Sequence, residues 1–341
     1  MADKEQFFDS VFDVAKAYQT GFVGAYSNPE AAEALRAQIK SAGGIPDGAM
    51  ACSAYRLEET GKGKLSAPFL EILKIYPDCL PGGAQGRGDC VSWSTRNACL
   101  GTMCCDITCG VPDPKSERLE GPPEVSDTAR LNGVLSTEAF YNWRRHGGDG
   151  WSCAEAAQVA LNESGLWLRK KYDEINVDFT QYSSRNAGLY GSRTPPTSWL
   201  AVGKDHRVQT ITEVETYEVL RDLLANGYCV SSCGSEGFSD QRDANGVSKR
   251  SGSWAHALAY LAADDRPETI KLYGEPLILV QNSWGAWNEG GRRILGTAFD
   301  IPIGAFWAKW SDIKNRYMVA ISGVNGWPRK KLPHYGSLGN I

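Results

Sequence analysis

The chain of 341 residues has no apolar run long enough to cross a bilayer. Its longest stretch without charge, Pro276–Asn288, has thirteen residues and contains polar groups, whereas a membrane helix needs about 20 consecutive apolar residues. Met1–Gln6 lacks a basic region followed by an apolar one. No secretory leader is read there, so an intracellular location, or incorporation in a particle, is expected. Neither sign of charge dominates: 36 Lys and Arg against 40 Asp and Glu give a net charge of −4. That balance supplies no strong basic field, so neither a nucleic-acid partner nor a membrane partner is expected. Internal repeats and low-complexity tracts are absent. Histidine is scarce, with four in all, which shortens the search for a general base.

What is present is enough to build a core. Hydrophobic residues make up 42% of the chain and include 11 Trp and 14 Tyr, which rules out wholesale disorder. The length allows two domains, or one large catalytic unit with an extension. Six of the ten cysteines fall between Cys79 and Cys109. Without a leader, mostly reduced thiols are expected. Cys99, Cys104, Cys105 and Cys109 do not have the spacing of a paired Cys-x-x-Cys site, so no metal and no cofactor is expected.

Helical signals come early and strand signals late, an α+β order. Phe7, Val11, Val14 and Tyr18 share one helical face. A second helix is expected to start at Pro29 after Ser27 and Asn28, and to stop near Gly43–Gly44. Residues 43–66 read as a loop, and residues 110–125, with four prolines, as a surface insertion. Ser152 to Glu155 and Thr212 to Glu215 have the form of capping boxes. The second of these helices is expected to end at Asn226–Gly227. Tyr228–Ser232, Ala255–Ala262 and Leu277–Gln281 read as strands.

Three segments carry chemistry. Cys90 follows a glycine-rich loop and opens a helix, where the dipole favours thiolate; alone it is no better than a buried structural cysteine. Among the histidines, His146 precedes a glycine pair, His206 sits in a polar loop and His334 in the C-terminal tail. His256 starts an apolar run, which would hold its backbone while the ring faces a cleft; singly it too reads as structural. Asn282-Ser-Trp284-Gly directly follows a strand and would suit an amide that must hold an imidazole and be kept dry.

Taken together and in order, these segments resemble the papain-like cysteine peptidases over roughly residues 67–320. Gln85 with Cys90 is similar to that family's glutamine loop and nucleophile, Trp254-Ala-His256 to its histidine strand, and Asn282-Ser-Trp284-Gly to its asparagine turn. Gly147–Gly148 with Trp151, and Leu223 to Gly227, add two further likenesses in sequence order. The resemblance implies a two-lobed α+β fold, a helical lobe and a β-rich, barrel-like lobe with the active site in the cleft between them. It implies a Cys90–His256–Asn282 triad working as a thiolate–imidazolium pair, an oxyanion role for Gln85, and Trp284 covering the His256–Asn282 bond. It also implies that Gly147 and Gly148 bind a substrate strand through their backbone. The substrate would be a peptide or protein.

The chain departs from the family pattern in several places. Gln85 precedes Cys90 by five positions, where the family usually has six. Val91 replaces the usual Trp, with Trp93 two positions on. The first Cys of the usual Cys-Gly-Ser-Cys pattern is missing, and Asp89 precedes the thiol. His256 and Asn282 follow Cys90 by 166 and 192 residues, more than the roughly 130–150 of the family pattern. The excess is placed in insertions at 110–130 and 236–252. The chain divides into an N-terminal helical extension (1–66), a catalytic unit (67–325) and a tail (326–341). The extension has no interspersed Glu/Arg/Phe/Asn signature and is read as a structural or assembly-docking segment rather than an inhibitory propeptide. Two other functions stay open: a non-catalytic docking protein in a virus particle or other large assembly, and a cell-wall amidase or endopeptidase.

Overall fold

The computed structural model describes residues 24–41, 59–80, 83–108, 134–208, 211–288 and 294–321. The expected helix over 4–18, the insertion at 110–125 and the C-terminal tail lie outside the described residues. The helices used below are α1 (Pro29–Ser41), α2 (Phe69–Ile75), α3 (Cys90–Thr108), α4 (Glu138–Tyr141), α5 (Cys153–Asn162), α6 (Ser184–Ala187), α7 (Thr197–Asp205), α8 (Tyr217–Ala225), α9 (Pro267–Tyr273) and α10 (Trp310–Ile313). The strands are β1 (Leu65–Ser66), β2 (Lys171–Tyr172), β3 (Val177–Asp178), β4 (Ile211–Glu213), β5 (Val230–Arg242), β6 (Ser248–Asp264), β7 (Leu277–Gln281), β8 (Ala305–Lys309) and β9 (Tyr317–Ile321).

Helices and antiparallel sheet segregate along the chain, so the architecture is α+β. Seven strands form one sheet in the order β4-β9-β5-β6-β7-β8, with β1 paired to β6 off that path. The path is open: no closed barrel forms among the described strands. β1 sits inside the expected N-terminal extension, and Glu59 and Gly61 donate their backbone N–H groups to Asp222. Residues 59–66 therefore belong to the same packed body as the sheet.

The β5–β6 hairpin is the largest difference from the expected strands. Residues 236–252 continue both strands in place of a surface insertion, with Asp243 and Gly246 at the turn. Gly234–Arg242 buries only residues 236–238 and shifts register along its length, so a search for apolar runs or strict alternation passes over it.

Local signals explain the helix starts. Asn28 Oδ1 accepts from the Ala31 N–H at 3.0 Å and caps α1. Ser152 precedes α5 but makes no side-chain cap bond. Its expected partner Glu155 is drawn away to Asn28 and Tyr26. Thr212 lies in β4, and Thr216 caps α8 instead, accepting from the Val219 N–H at 3.3 Å.

One hydrophobic core runs through both the helical part and the sheet. Trp167, Tyr172, Phe179 and Trp199 stack among themselves in the helical part, and Trp254, Phe238 and Phe306 in the sheet. A buried ion pair organises the wall of the helical part. Arg169 bonds both Glu138 oxygens at 3.1 and 3.0 Å, and the same carboxylate accepts from the N–H groups of Thr137 and Ser183. Glu138 leads into α4, whose last residue, Tyr141, reaches the nucleophile loop.

Glu138→Ala leaves the Arg169 guanidinium buried without its partner, a loss of about 3–5 kcal/mol. The expected outcome is a matching fall in the urea midpoint. A change below about 1 kcal/mol would place this pair among energetically idle ones.

Candidate active site

Cys90 is the first residue of α3 and is fully buried. The loop that delivers it is pinned by two tyrosines. The Tyr182 hydroxyl donates to Asp89 Oδ2 at 3.0 Å and accepts from the Gly86 N–H. The Tyr141 hydroxyl donates to the Gly88 carbonyl at 3.0 Å and accepts from the Gly150 N–H. Arg87 adds two bonds to Asp149 at 2.8 and 2.6 Å. Trp93 lies one turn into α3 and packs on Tyr182.

His256 lies on β6, opposite Gly234 of β5. Its Nε2 is 2.7 Å from Asn282 Oδ1, and the same oxygen accepts from the Ser283 N–H at 2.7 Å. An amide oxygen can only accept, so Nε2 carries the proton and Nδ1 the lone pair. Trp284 stacks on the ring with centroids 4.8 Å apart. Arg316, fully buried, donates to the His256 carbonyl at 2.5 Å and holds the backbone.

The backbone N–H of Ala257, the residue after His256, favours the Cys90 thiolate. His256 Nδ1 is buried and has no hydrogen-bond partner, the Cys90 thiol included. No hydrogen bond joins the thiol and the ring. Their electrostatics match a neutral pair. Burial pushes the Cys90 thiol well above its ordinary value, and the neighbouring Asp89 adds to this against Ala257 and Arg316. Burial pulls His256 down to about 3, with Arg316 acting the same way and the Asn282 bond opposing. The imidazolium–thiolate pair implied by the family resemblance is not the favoured state of this closed site.

Gln85 is also buried at the site. Its Nε2 donates to the Arg87 carbonyl at 2.7 Å, its Oε1 accepts from the Ser283 hydroxyl, and its backbone N–H donates to the Ser283 carbonyl. It therefore ties the nucleophile loop to the asparagine turn. Gly147 and Gly148 are exposed, with open space around the first and only the His146 ring edge near the second. The backbone that does pair along the site is that of Trp151.

Its partner is the chain itself. Residues 24–26 run between two walls. The Gly24 carbonyl accepts from the Trp151 N–H at 2.7 Å, the Tyr26 N–H donates to the Trp151 carbonyl at 3.0 Å, and the Ala25 N–H donates to the Ala255 carbonyl at 3.0 Å. The Ala25–Trp151 pairing is parallel. Gly24 has φ +116°, and a Cβ there would stand 2.2 Å from the Gly88 carbonyl oxygen, so glycine is required. Glu155 anchors the segment through Tyr26 and Asn28 at 2.9 and 2.6 Å. Beyond it, Arg36 of α1 pairs with Glu213.

Sequence reasoning missed the roles of Arg316, Tyr182, Tyr141 and Ala255 and of the Gly24–Tyr26 segment, each of which acts through distant contacts. His146 bonds Tyr26, His206 ends α7 and His334 lies outside the described residues. Among the described residues no group of His, Cys, Asp and Glu side chains is arranged to hold a metal ion.

No protein-family model matches the chain, and no curated protein matches it. Solved structures do. The chain is similar to xylellain, a cysteine protease from Xylella fastidiosa, at 15% identity over 71% of this chain and 82% of that one, with a TM-score of 0.41. It is similar to procathepsin B S9 from Trypanosoma congolense at 11% identity over 91% and 89%, with a TM-score of 0.49. It is also similar to procathepsin L 3 of the Tenebrio molitor larval midgut at 12% identity over 90% and 97%, with a TM-score of 0.40. All three scores are below 0.5, and the function proposed below rests on the site's own geometry.

Asp89 generates a pH prediction. Its Oδ1 is buried with no partner, and burial lifts its carboxyl from 3.8 to about 8, against the Tyr182 bond and Arg87 and with Glu138 and Asp149. A folded value above the unfolded one contributes stability that is complete below the unfolded value and is lost as pH rises through the folded one. The wild type should therefore lose stability relative to Asp89→Asn as pH rises from about 4 to about 8, by up to about 6 kcal/mol at about 1.4 kcal/mol per unit of displacement. Urea midpoints of both proteins across that range check it; parallel profiles would remove Asp89 from the account.

Proposed function

We propose that the chain is a thiol-dependent endopeptidase of the papain-like type, held latent by its own residues 24–28. The observation that carries this reading is the tautomer of His256. With Nε2–H committed to Asn282, the lone pair is on the nitrogen that a general base would use, and the Cys90 sulfur lies beside the next residue, Ala257.

In the proposed cycle the departure of residues 24–28 admits substrate and water. Water lowers the cost of charge separation, so His256 takes the Cys90 proton. The thiolate attacks the peptide carbonyl, and the oxyanion is met by the Cys90 N–H and Gln85. His256 then gives its proton to the leaving amine, and water cleaves the acyl-enzyme with the same histidine as base. Trp284 keeps the Asn282 bond dry, which strengthens it. Trp151, rather than Gly147 or Gly148, would supply the backbone for a substrate strand, since the segment already uses its N–H and carbonyl.

Complete burial of Cys90 and His256 favours a second reading, in which the same site is never used and the chain is a docking component of a large assembly. The two readings separate on a covalent test. Gly24→Val should clash with Gly88 and lift the segment, so a thiol-directed peptidyl inhibitor should label Cys90 roughly tenfold faster than in the wild type. Cys90→Ala should take no label and should not cleave an unstructured peptide. Labelling spread evenly over the thiols, with no cleavage by either protein, would sink the peptidase and leave the docking reading, to be checked by fixed stoichiometry in a purified particle.

A further inference from the structure

Cys153 and Cys233 form a disulfide, while the other described cysteines (Cys79, Cys90, Cys99, Cys104, Cys105 and Cys229) are buried thiols. The bond joins two parts of the fold that meet at the site. Cys153 opens α5, two residues after Trp151. Cys233 lies on β5 opposite Ala257, and its neighbour Gly234 lies opposite His256. The bond therefore spans from the wall that carries Trp151 to the sheet that carries Ala255. Those are the two walls to which Gly24, Ala25 and Tyr26 are hydrogen-bonded.

Both cysteines line a cavity and keep a little exposure, 4% and 7%. The cavity, of about 560 Å³, is lined by Cys153 and Cys233 together with Tyr26, Asn28, Ala255 and Glu236. On its inner side Cys153 Sγ lies 3.9 Å from Ser231 Oγ, which bonds Ser94 Oγ of α3 at 2.7 Å. The bond is thus reachable from the cavity and sits one layer beneath the N-terminal segment. A cross-link between residues 80 apart in sequence removes relative freedom from the two elements it joins, whatever their other contacts.

We infer that the Cys153–Cys233 bond is a redox-controlled clamp that fixes the spacing of the two walls and so retains residues 24–28 in the site. A dithiol reductant, small or of the thioredoxin class, opens it. One dithiol thiolate attacks either sulfur and displaces the other as thiolate. The second dithiol sulfur then resolves the mixed disulfide. Two protein thiols and one oxidised dithiol result, with two electrons transferred and the thiolates protonated from water. Once the bond is open, Trp151 and Ala255 move independently, and a segment held by one backbone bond on one side and two on the other loses its fixed gap. This rests on the reading of residues 24–28 as occupant of the site, but its readout is accessibility rather than hydrolysis, so a chain without peptidase activity still tests it.

The full chain is compared with and without dithiothreitol by alkylation mapping and amide hydrogen exchange. Without reductant, Cys153 and Cys233 should resist alkylation. With it, both should be alkylated, and the Gly24, Tyr26 and Trp151 region should exchange roughly tenfold faster, while Leu277–Gln281 keeps its protection. A Cys153→Ser, Cys233→Ser double variant should show the faster exchange with no reductant present. Alkylation of the pair without reductant, unchanged exchange after reduction, or an equal rise at Leu277–Gln281 would each overturn the clamp; the wild-type comparison decides alone if the variant fails to fold.

Discussion

The site depends on one shared acceptor. Asn282 Oδ1 receives both the His256 ring N–H and the Ser283 backbone N–H, so the amide cannot turn without breaking its own loop. That loop in turn bonds Gln85 through Ser283, and Gln85 stands five residues before Cys90. A single amide orientation therefore sets the histidine tautomer, the asparagine turn and the approach of the nucleophile loop. Trp284, with Trp254 and Trp287 packed on it, screens the bond from water and makes a misplaced donor costly.

The same burial that strengthens this bond opposes ionisation. A thiol pushed up and an imidazole pulled down to about 3 do not exchange a proton in the closed site. In the proposed reading, reactivity comes with solvent, once Gly24–Tyr26 leave Trp151 and Ala255. The N-terminal segment read from sequence as a structural extension bonds, in its described part, to Trp151 and Ala255, and in the proposed reading it is the lid on the chemistry. Its hold is mostly backbone bonding, with Glu155 as the side-chain anchor, so its sequence needs few special residues.

What could be read from sequence was what depends on contiguous residues. Cys90 at a helix start, the Asn28 cap, the β7 strand Leu277–Gln281 and the α+β order all follow from local rules. So did the nomination of Asn282 and Trp284 as neighbours of a histidine, because four adjacent residues carried that signal. The capping boxes failed where a distant partner outbid the local one: Glu155 bonds Asn28 and Tyr26, which are more than a hundred residues away. Trp151 pairs with Ala25 through backbone direction, which a sequence pattern does not display. Arg316 was invisible because its whole role is to bond residues 60 and 80 positions back.

The shortened glutamine loop shows how such distant contacts substitute for local spacing. With one residue fewer than the family pattern, Gln85–Asp89 cannot rely on its own length to present Cys90. It is instead fastened from outside, by Tyr182 at Gly86 and Asp89, by Asp149 at Arg87, and by Tyr141 at Gly88. Tyr141 also bonds Gly150, so the position of the nucleophile is coupled to the wall on which the segment lies. Asp89, buried with one oxygen unmatched, is the strained member of this set. Replacing the usual small residue before the nucleophile by an acid makes sense physically only if the acid stays neutral there. Burial is what keeps it so, against the Tyr182 hydroxyl, whose donated bond favours the carboxylate.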